Sequence, residues 1–208
     1  MMEESATLTQ PVSAHDHAEG PADAPLTLVE YGDYQCPYCG AAYPVVKRLQ
    51  KTLGKKMRFV FRNFPLTQMH PYALVAAEAA EAAALQGKFW EMHDLLFEQQ
   101  AFLDPDVIPM WAERIGLNLE QLGNDIRQGV PEKRIKEDRQ SGIRSGVNGT
   151  PTFFINGARY DGPTDYDSLL EALKSFAMRD GAWLPRNPSE GISNEPGLPE
   201  KEMPSGII

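Results

Sequence analysis

The chain has 208 residues, 42% hydrophobic and 24% charged, with a net charge of −9. That length fits one domain, or one domain with an insertion, and is enough to bury a substantial core. The acidic balance argues against nucleic acid as a main partner, and no uninterrupted apolar stretch approaches the length of a membrane span.

Residues 1–24 are polar and acidic, with Pro11, Gly20 and Pro21 as breakers, and read as a flexible N-terminal arm. The first basic residue is Lys47 and no apolar core precedes it, so no secretion signal is expected and the location reads as cytoplasmic. His15-Asp16-His17 falls in this arm; two histidines alone make an incomplete metal site, so the tripeptide reads as solvated.

Residues 25–180 carry the folded domain. A strand is expected at 28–31, a helix over 41–53, and an alternating strand at 57–62 that ends near Pro65. An all-helical insertion follows over about 66–147. Pro71 opens an alanine-rich helix. Phe89, Met92, His93, Leu96 and Phe97 share one face of the next, where His93 reads as a core histidine. Val107, Ile108, Trp111 and Ile115 mark a third helix, and Leu119, Leu122 and Ile126 a fourth. Pro131 opens a fifth that runs towards Gly142 or Ser145. Strand signals return at 152–155 and 158–160 around the turn dipeptide Asn156-Gly157. A last helix starts near Thr164, where Thr164 and Asp167 form a capping-box-like pair. Residues 181–208 are rich in proline and glycine and read as an extended tail, with Trp183 its candidate anchor.

The chain has two cysteines, and they are three residues apart in Cys36-Pro37-Tyr38-Cys39, between a strand and a helix. A helix N-terminus carries unpaired N–H groups and partial positive charge, which favour a thiolate there. Cys36 would be the nucleophile. Cys39, one turn deeper, would be close enough to attack a mixed disulfide on Cys36. Pro37 suits the first helical turn. Three other readings compete. A structural zinc site needs four ligands, and no second cysteine pair or H-x3–5-H pair exists. A permanent disulfide would close only a two-residue loop and constrain the unfolded chain weakly. Two inert buried thiols are the third. In the cytoplasm a dithiol is more often catalytic than structural.

The order of strand, C-x-x-C helix, strand, helical block, Thr150-Pro151, hairpin and helix resembles the thioredoxin fold with the helical insertion of DsbA-like thiol–disulfide oxidoreductases. The likeness covers about residues 25–178. Cys36-Pro37-Tyr38-Cys39 is similar to the glutaredoxin motif and close to the DsbA one. Gly149-Thr150-Pro151-Thr152-Phe153 looks like the family's cis-proline segment. Pro44 lies where thioredoxins place a helix-kinking proline, and Glu30 where the family places a buried acid beneath the dithiol.

The resemblance implies an α/β fold and a protein thiol–disulfide oxidoreductase in which Cys36 attacks, Cys39 resolves and Glu30 moves the proton. Pro37, Tyr38, Thr150 and Pro151 would shape the substrate groove. Thr150 would offer backbone hydrogen bonds to an extended client, and Arg62 or Lys47 would balance Glu30. Tyr38 stands where the DsbA pattern has histidine, so the reduced form is stabilised less and the protein should be a weaker oxidant. Asp33 and Glu30 should push the same way. No metal or organic cofactor is implied, glutathione is a possible co-substrate, and the expected partners are client proteins and a recycling reductase. Two alternatives stay open: a glutathione-dependent transferase or isomerase of the same fold, and a non-enzymatic client-binding or chaperone module.

Overall fold

The computed structural model describes residues 6–179. Among them, five strands form one mixed sheet: β1 (His17–Glu19), β2 (Leu26–Gly32), β3 (Met57–Asn63), β4 (Thr152–Ile155) and β5 (Ala158–Tyr160). Their order is β1-β3-β2-β4-β5. The helices are α1 (Pro37–Leu53), α2 (Ala73–Ala84), α3 (Phe89–Glu98), α4 (Ile108–Arg114), α5 (Leu119–Arg127), α6 (Val130–Arg144) and α7 (Tyr166–Arg179). Helices α2 to α6 lie between β3 and β4, where the helical insertion was expected.

Strand β2 is central, parallel to β3 through the α1 crossover and antiparallel to β4. Its near-continuous apolar run suits a strand covered on both faces. Strand alternation sends Leu26 and Leu28 to the core built with α1, α7 and the insertion, and Val29 and Tyr31 to the opposite face. At the far edge, Asn156 (φ 48°) and Gly157 (φ 85°) both adopt left-handed backbone, as a tight hairpin with the strands' right-handed twist requires.

The second face is where the sequence reading needs correcting. Helix α6 covers part of it: a Cβ on Gly142 would fall 2.9 Å from the Phe64 ring and 3.0 Å from that of Tyr31. The rest is covered by the segment expected to be a flexible arm. Leu8, Val12 and Ala18 pack against the cluster of Val29, Val60 and Phe154. Strand β1 pairs antiparallel with β3, and the Leu8 N–H donates to the Gly157 carbonyl at 2.8 Å. An apolar sheet face and an open strand edge both need a cover, and these residues supply it.

Arg62 gives a second reason. Its neighbour in register is Tyr31, so it faces away from Glu30, whose partner is Phe61; the expected balance of Glu30 by Arg62 does not occur. Arg62 is fully buried and grips Asp16 with Nε at 2.8 Å from Oδ1 and Nη2 at 3.1 Å from Oδ2. Its Nη1 donates to the Tyr31 hydroxyl at 2.9 Å and to the Gln10 carbonyl at 3.0 Å. Planar guanidinium and carboxylate match as two parallel bonds. His17 places Nε2 3.0 Å from both oxygens of Glu81 and stacks on Phe89 at 3.5 Å. Asp16 and His17 are therefore packed into a seam, while His15 stays exposed as the solvated reading expected. Lys47 pairs with Asp94 at 2.7 Å instead of Glu30.

His93 is buried and lies 3.1 Å from the Tyr34 hydroxyl through Nδ1, as a core histidine should. The last helix begins two residues later than expected and is capped by Asp165, which accepts from the N–H of Asp167 and Ser168, so the Thr164–Asp167 box does not form. The expected tail at 181–208, with Trp183, lies outside the described residues.

Candidate active site

Helix α1 begins at Pro37, four residues before the expected start, because proline fills its first position with φ already suited to a helix. Cys36 is the N-cap, with extended backbone at φ −69° and ψ 121°. Its N–H donates to the Asp33 carbonyl at 3.1 Å, and its carbonyl accepts the first helical bond from the Gly40 N–H at 3.0 Å. Pro44 lies inside the helix, so the Gly40 carbonyl is left without its i+4 donor.

Both cysteines are free thiols. Cys36 keeps 3% of its surface exposed and Cys39 none, so Cys36 is the more accessible sulfur. The Cys36 thiol donates to the Thr150 carbonyl at 3.3 Å, and the Thr150–Pro151 peptide is cis. In this dithiol state that carbonyl is engaged by Cys36. The Thr150 Oγ1 is buried without a partner, which leaves it free to donate once Cys36 ionises.

The two thiols are driven apart. The Cys36 pKa falls from 9.0 to about 5. A hydrogen bond from the Cys39 thiol is the main cause; burial opposes it, and donors on Thr150 and the backbone of Cys39 and Tyr38 add to it. The Cys39 thiol is pushed well up, first by burial, then by its bond to Cys36 and by the charges of Glu30 and Cys36. One cysteine is thus poised as thiolate and the other as thiol.

Glu30 lies at the centre of β2, between Phe61 and Phe153. Its Oε1 is buried without a hydrogen-bond partner. Burial raises its pKa to about 8, and the Cys36 charge adds to the shift. The acid expected from the sequence is thus buried, and its charge is coupled to those of Cys36 and Cys39. Of the outer residues, Tyr38 is 73% exposed and Pro37 is exposed too; they form the rim rather than the floor. Among the described residues no third His, Cys, Asp or Glu joins the cysteines in a metal-binding group.

Other residues hold the site without any warning from the sequence. The buried Asp33 carboxylate accepts from the Gln35 N–H, the Leu66 N–H and His70 Nδ1, each at 2.8 Å, and its own N–H donates to the Cys39 sulfur at 3.5 Å. Asp33 was expected to oppose the Cys36 thiolate; its carboxyl is instead taken up by three donors, and it is not among the leading causes of the Cys36 shift. Gln100, from the insertion, donates to the carbonyls of Tyr34 and Cys36. His70 and Gln100 are 37 residues from Asp33 and 64 from Cys36, separations at which no local pattern signals a contact.

The thioredoxin family model matches residues 13–175 of the chain. Among solved structures, oxidised BdbD from Bacillus subtilis superposes with a TM-score of 0.74 at 24% identity, over 84% of this chain and 99% of that one. A thioredoxin-like oxidoreductase from Silicibacter pomeroyi gives a TM-score of 0.69 at 27% identity, over 81% and 94%. The Na(+)/H(+) antiporter NhaA 3 of Salinispora tropica is 45% identical over 186 residues, 87% of this chain but 28% of that protein. The chain spans about a quarter of the length of the curated relatives it matches, and among its described residues no helix is long and apolar enough to cross a membrane. The matching family model and the shared architecture converge: this chain belongs to the thioredoxin family and has the fold of the DsbA-type thiol–disulfide oxidoreductases.

Proposed function

We propose that this chain is a protein thiol–disulfide oxidoreductase whose working group is the Cys36–Cys39 pair. One observation carries the reading: two free thiols share the first turn of one helix, Cys36 as its N-cap 3.3 Å from the carbonyl of the cis Thr150–Pro151 segment and Cys39 fully buried behind it, an arrangement that lowers the pKa of the first and raises that of the second. Inert structural cysteines have no need of that asymmetry.

The Cys36 thiolate attacks one sulfur of a client disulfide, and the other client sulfur leaves as thiolate. Forming this mixed disulfide removes the Cys36 charge, which had raised the pKa of both Glu30 and Cys39. The resolving step is thereby eased when it is needed. With the Cys36 charge gone, Glu30 releases its own proton to solvent; as a carboxylate it then takes the proton of Cys39, which attacks the Cys36 sulfur, and the second client thiolate departs. The client has gained two electrons and the chain holds the Cys36–Cys39 disulfide. Run backwards, the same steps give a disulfide to a client dithiol. Pro151, Thr150, Pro37 and Tyr38 frame the groove in which the client lies. No metal or organic cofactor takes part, and glutathione or a recycling reductase resets the pair.

A Cys36 pKa of about 5 lies between values of roughly 3.5 for DsbA and 7 for thioredoxin, which supports the weaker-oxidant reading drawn from Tyr38. The test is trapping. Cys39→Ser should accumulate a covalent adduct with glutathione disulfide or a disulfide peptide, seen by intact mass, and Cys36→Ser should not. An adduct on neither variant, or on Cys36→Ser alone, overturns the assignment.

A further inference from the structure

Gln100 opens the short 3-10 turn Gln100–Phe102 of the helical insertion. Its Nε2 donates to the Tyr34 carbonyl at 2.8 Å and to the Cys36 carbonyl at 2.9 Å. These two carbonyls bracket the end of the loop that delivers the nucleophile. Beneath the carboxamide lies Gly40: a Cβ there would fall 2.1 Å from Gln100 Oε1 and 2.8 Å from its Cδ. Glycine inside a helix is unfavourable against alanine, and here it leaves the space that the carboxamide occupies.

Resting on the thiol–disulfide reading, we propose that Gln100 is a positioning residue through which the insertion tunes the Cys36–Cys39 couple. The Cys36 carbonyl carries partial negative charge on the nucleophile's own residue. Two N–H groups satisfy it, one from Gly40 and one from Gln100. Without the second, the carbonyl's field on the sulfur grows and the loop loses its tie to the insertion. The thiolate is then stabilised less, and the dithiol loses ground to the disulfide. Gln100→Glu would replace the donor with an anion of the same shape and push further in the same direction. Gly40→Ala would reach the same end from the other side, by displacing the flexible carboxamide while Gln100 is still present.

The experiment uses the full chain. Its equilibrium with reduced and oxidised glutathione and the thiolate absorbance titration are measured for wild type, Gln100→Ala, Gln100→Glu, Gly40→Ala and Gln86→Ala. Gln86 also bridges through its carboxamide, but to Asn118 within the insertion, so it controls for general loosening. Gln100→Ala and Gly40→Ala should each make the couple less oxidising by about threefold to tenfold, the size of one net hydrogen bond, and raise the titration midpoint. Gln100→Glu should exceed both, and Gln86→Ala should leave both readouts at wild-type values. Wild-type equilibria and midpoints in Gln100→Ala and Gly40→Ala, or an equal shift in Gln86→Ala, overturn the role of Gln100 alone. A wild-type chain that never equilibrates with glutathione overturns the thiol–disulfide reading and this role with it.

Discussion

Replacing Glu30 with glutamine should change how stability depends on pH. The Glu30 carboxyl titrates at its ordinary 4.5 when unfolded and at about 8 in the native protein. Between those values the native state holds a proton that the unfolded chain releases, so this group makes stability fall as pH rises. At about 1.4 kcal/mol per pH unit, the loss from pH 5 to pH 8 is about 3–4 kcal/mol. Cys36 acts with the opposite sign. Its native pKa is lowered from 9.0 to about 5, so it adds stability as pH rises through the same window. Subtracting the two proteins at each pH removes the Cys36 contribution. It also removes the constant cost of burying a glutamine amide, because that cost does not titrate. The assay is urea unfolding of the reduced chain at half-unit steps from pH 5 to pH 8. Glu30→Gln should gain on wild type steadily across the range. Two curves that run parallel would refute the burial of the Glu30 carboxyl.

Thiolate absorbance of the reduced chain should titrate with a midpoint near 5 and vanish in Cys36→Ser; a midpoint near the ordinary thiol value would refute the hydrogen-bond account of the nucleophile. Asp16→Ala leaves the Arg62 charge buried and unpaired, which should cost about 3–5 kcal/mol in chemical unfolding; a loss below about 1 kcal/mol would mean that the pair behaves as a surface bridge. Tyr38→His places a cation beside the thiolate and should raise the redox potential against glutathione, by about 30 mV for every 1.4 kcal/mol of added stabilisation. An unchanged potential would sink the argument from residue 38.

The parts legible in the sequence were those carried by local pattern. The apolar run at 28–31, the helical spacing of Phe89, Met92 and Leu96, and the Asn156-Gly157 turn each placed an element where the structure has it, although β2 extends two residues further at its start and one at its end. The spacing of Cys36 and Cys39 identified the pair because a single helical turn fixes their separation. What the sequence hid depends on long-range pairing. The N-terminal segment has breakers and little hydrophobicity, so it scored as an arm, and only an uncovered sheet face and a buried guanidinium give it a place. The contacts of Asp33 with His70 and of Gln100 with Cys36 join residues that share no element. Asp33 also shows why sign arguments from composition fail: an acid near a thiol in sequence opposes it only if its charge is left unsatisfied.

The seam at the N-terminal segment also bears on how the chain is made. Asp16 waits for Arg62, 46 residues later, and for Arg134, 118 residues later. Thr9 waits for Ser145, and the Ala6 carbonyl for the Arg159 N–H. During synthesis these residues thus find their last partners only when β5 has emerged. Until then the second face of β2 and β3 lacks α6, and the N-terminal segment lacks its ties to Ser145 and to Arg159. Domains that depend on such distant closures fold slowly and expose sticky surface on the way. For this chain the vulnerable interval is set by the arrival of α6 and the closing hairpin, so a pause in translation before residue 130 should lengthen its exposure and one after residue 160 should not.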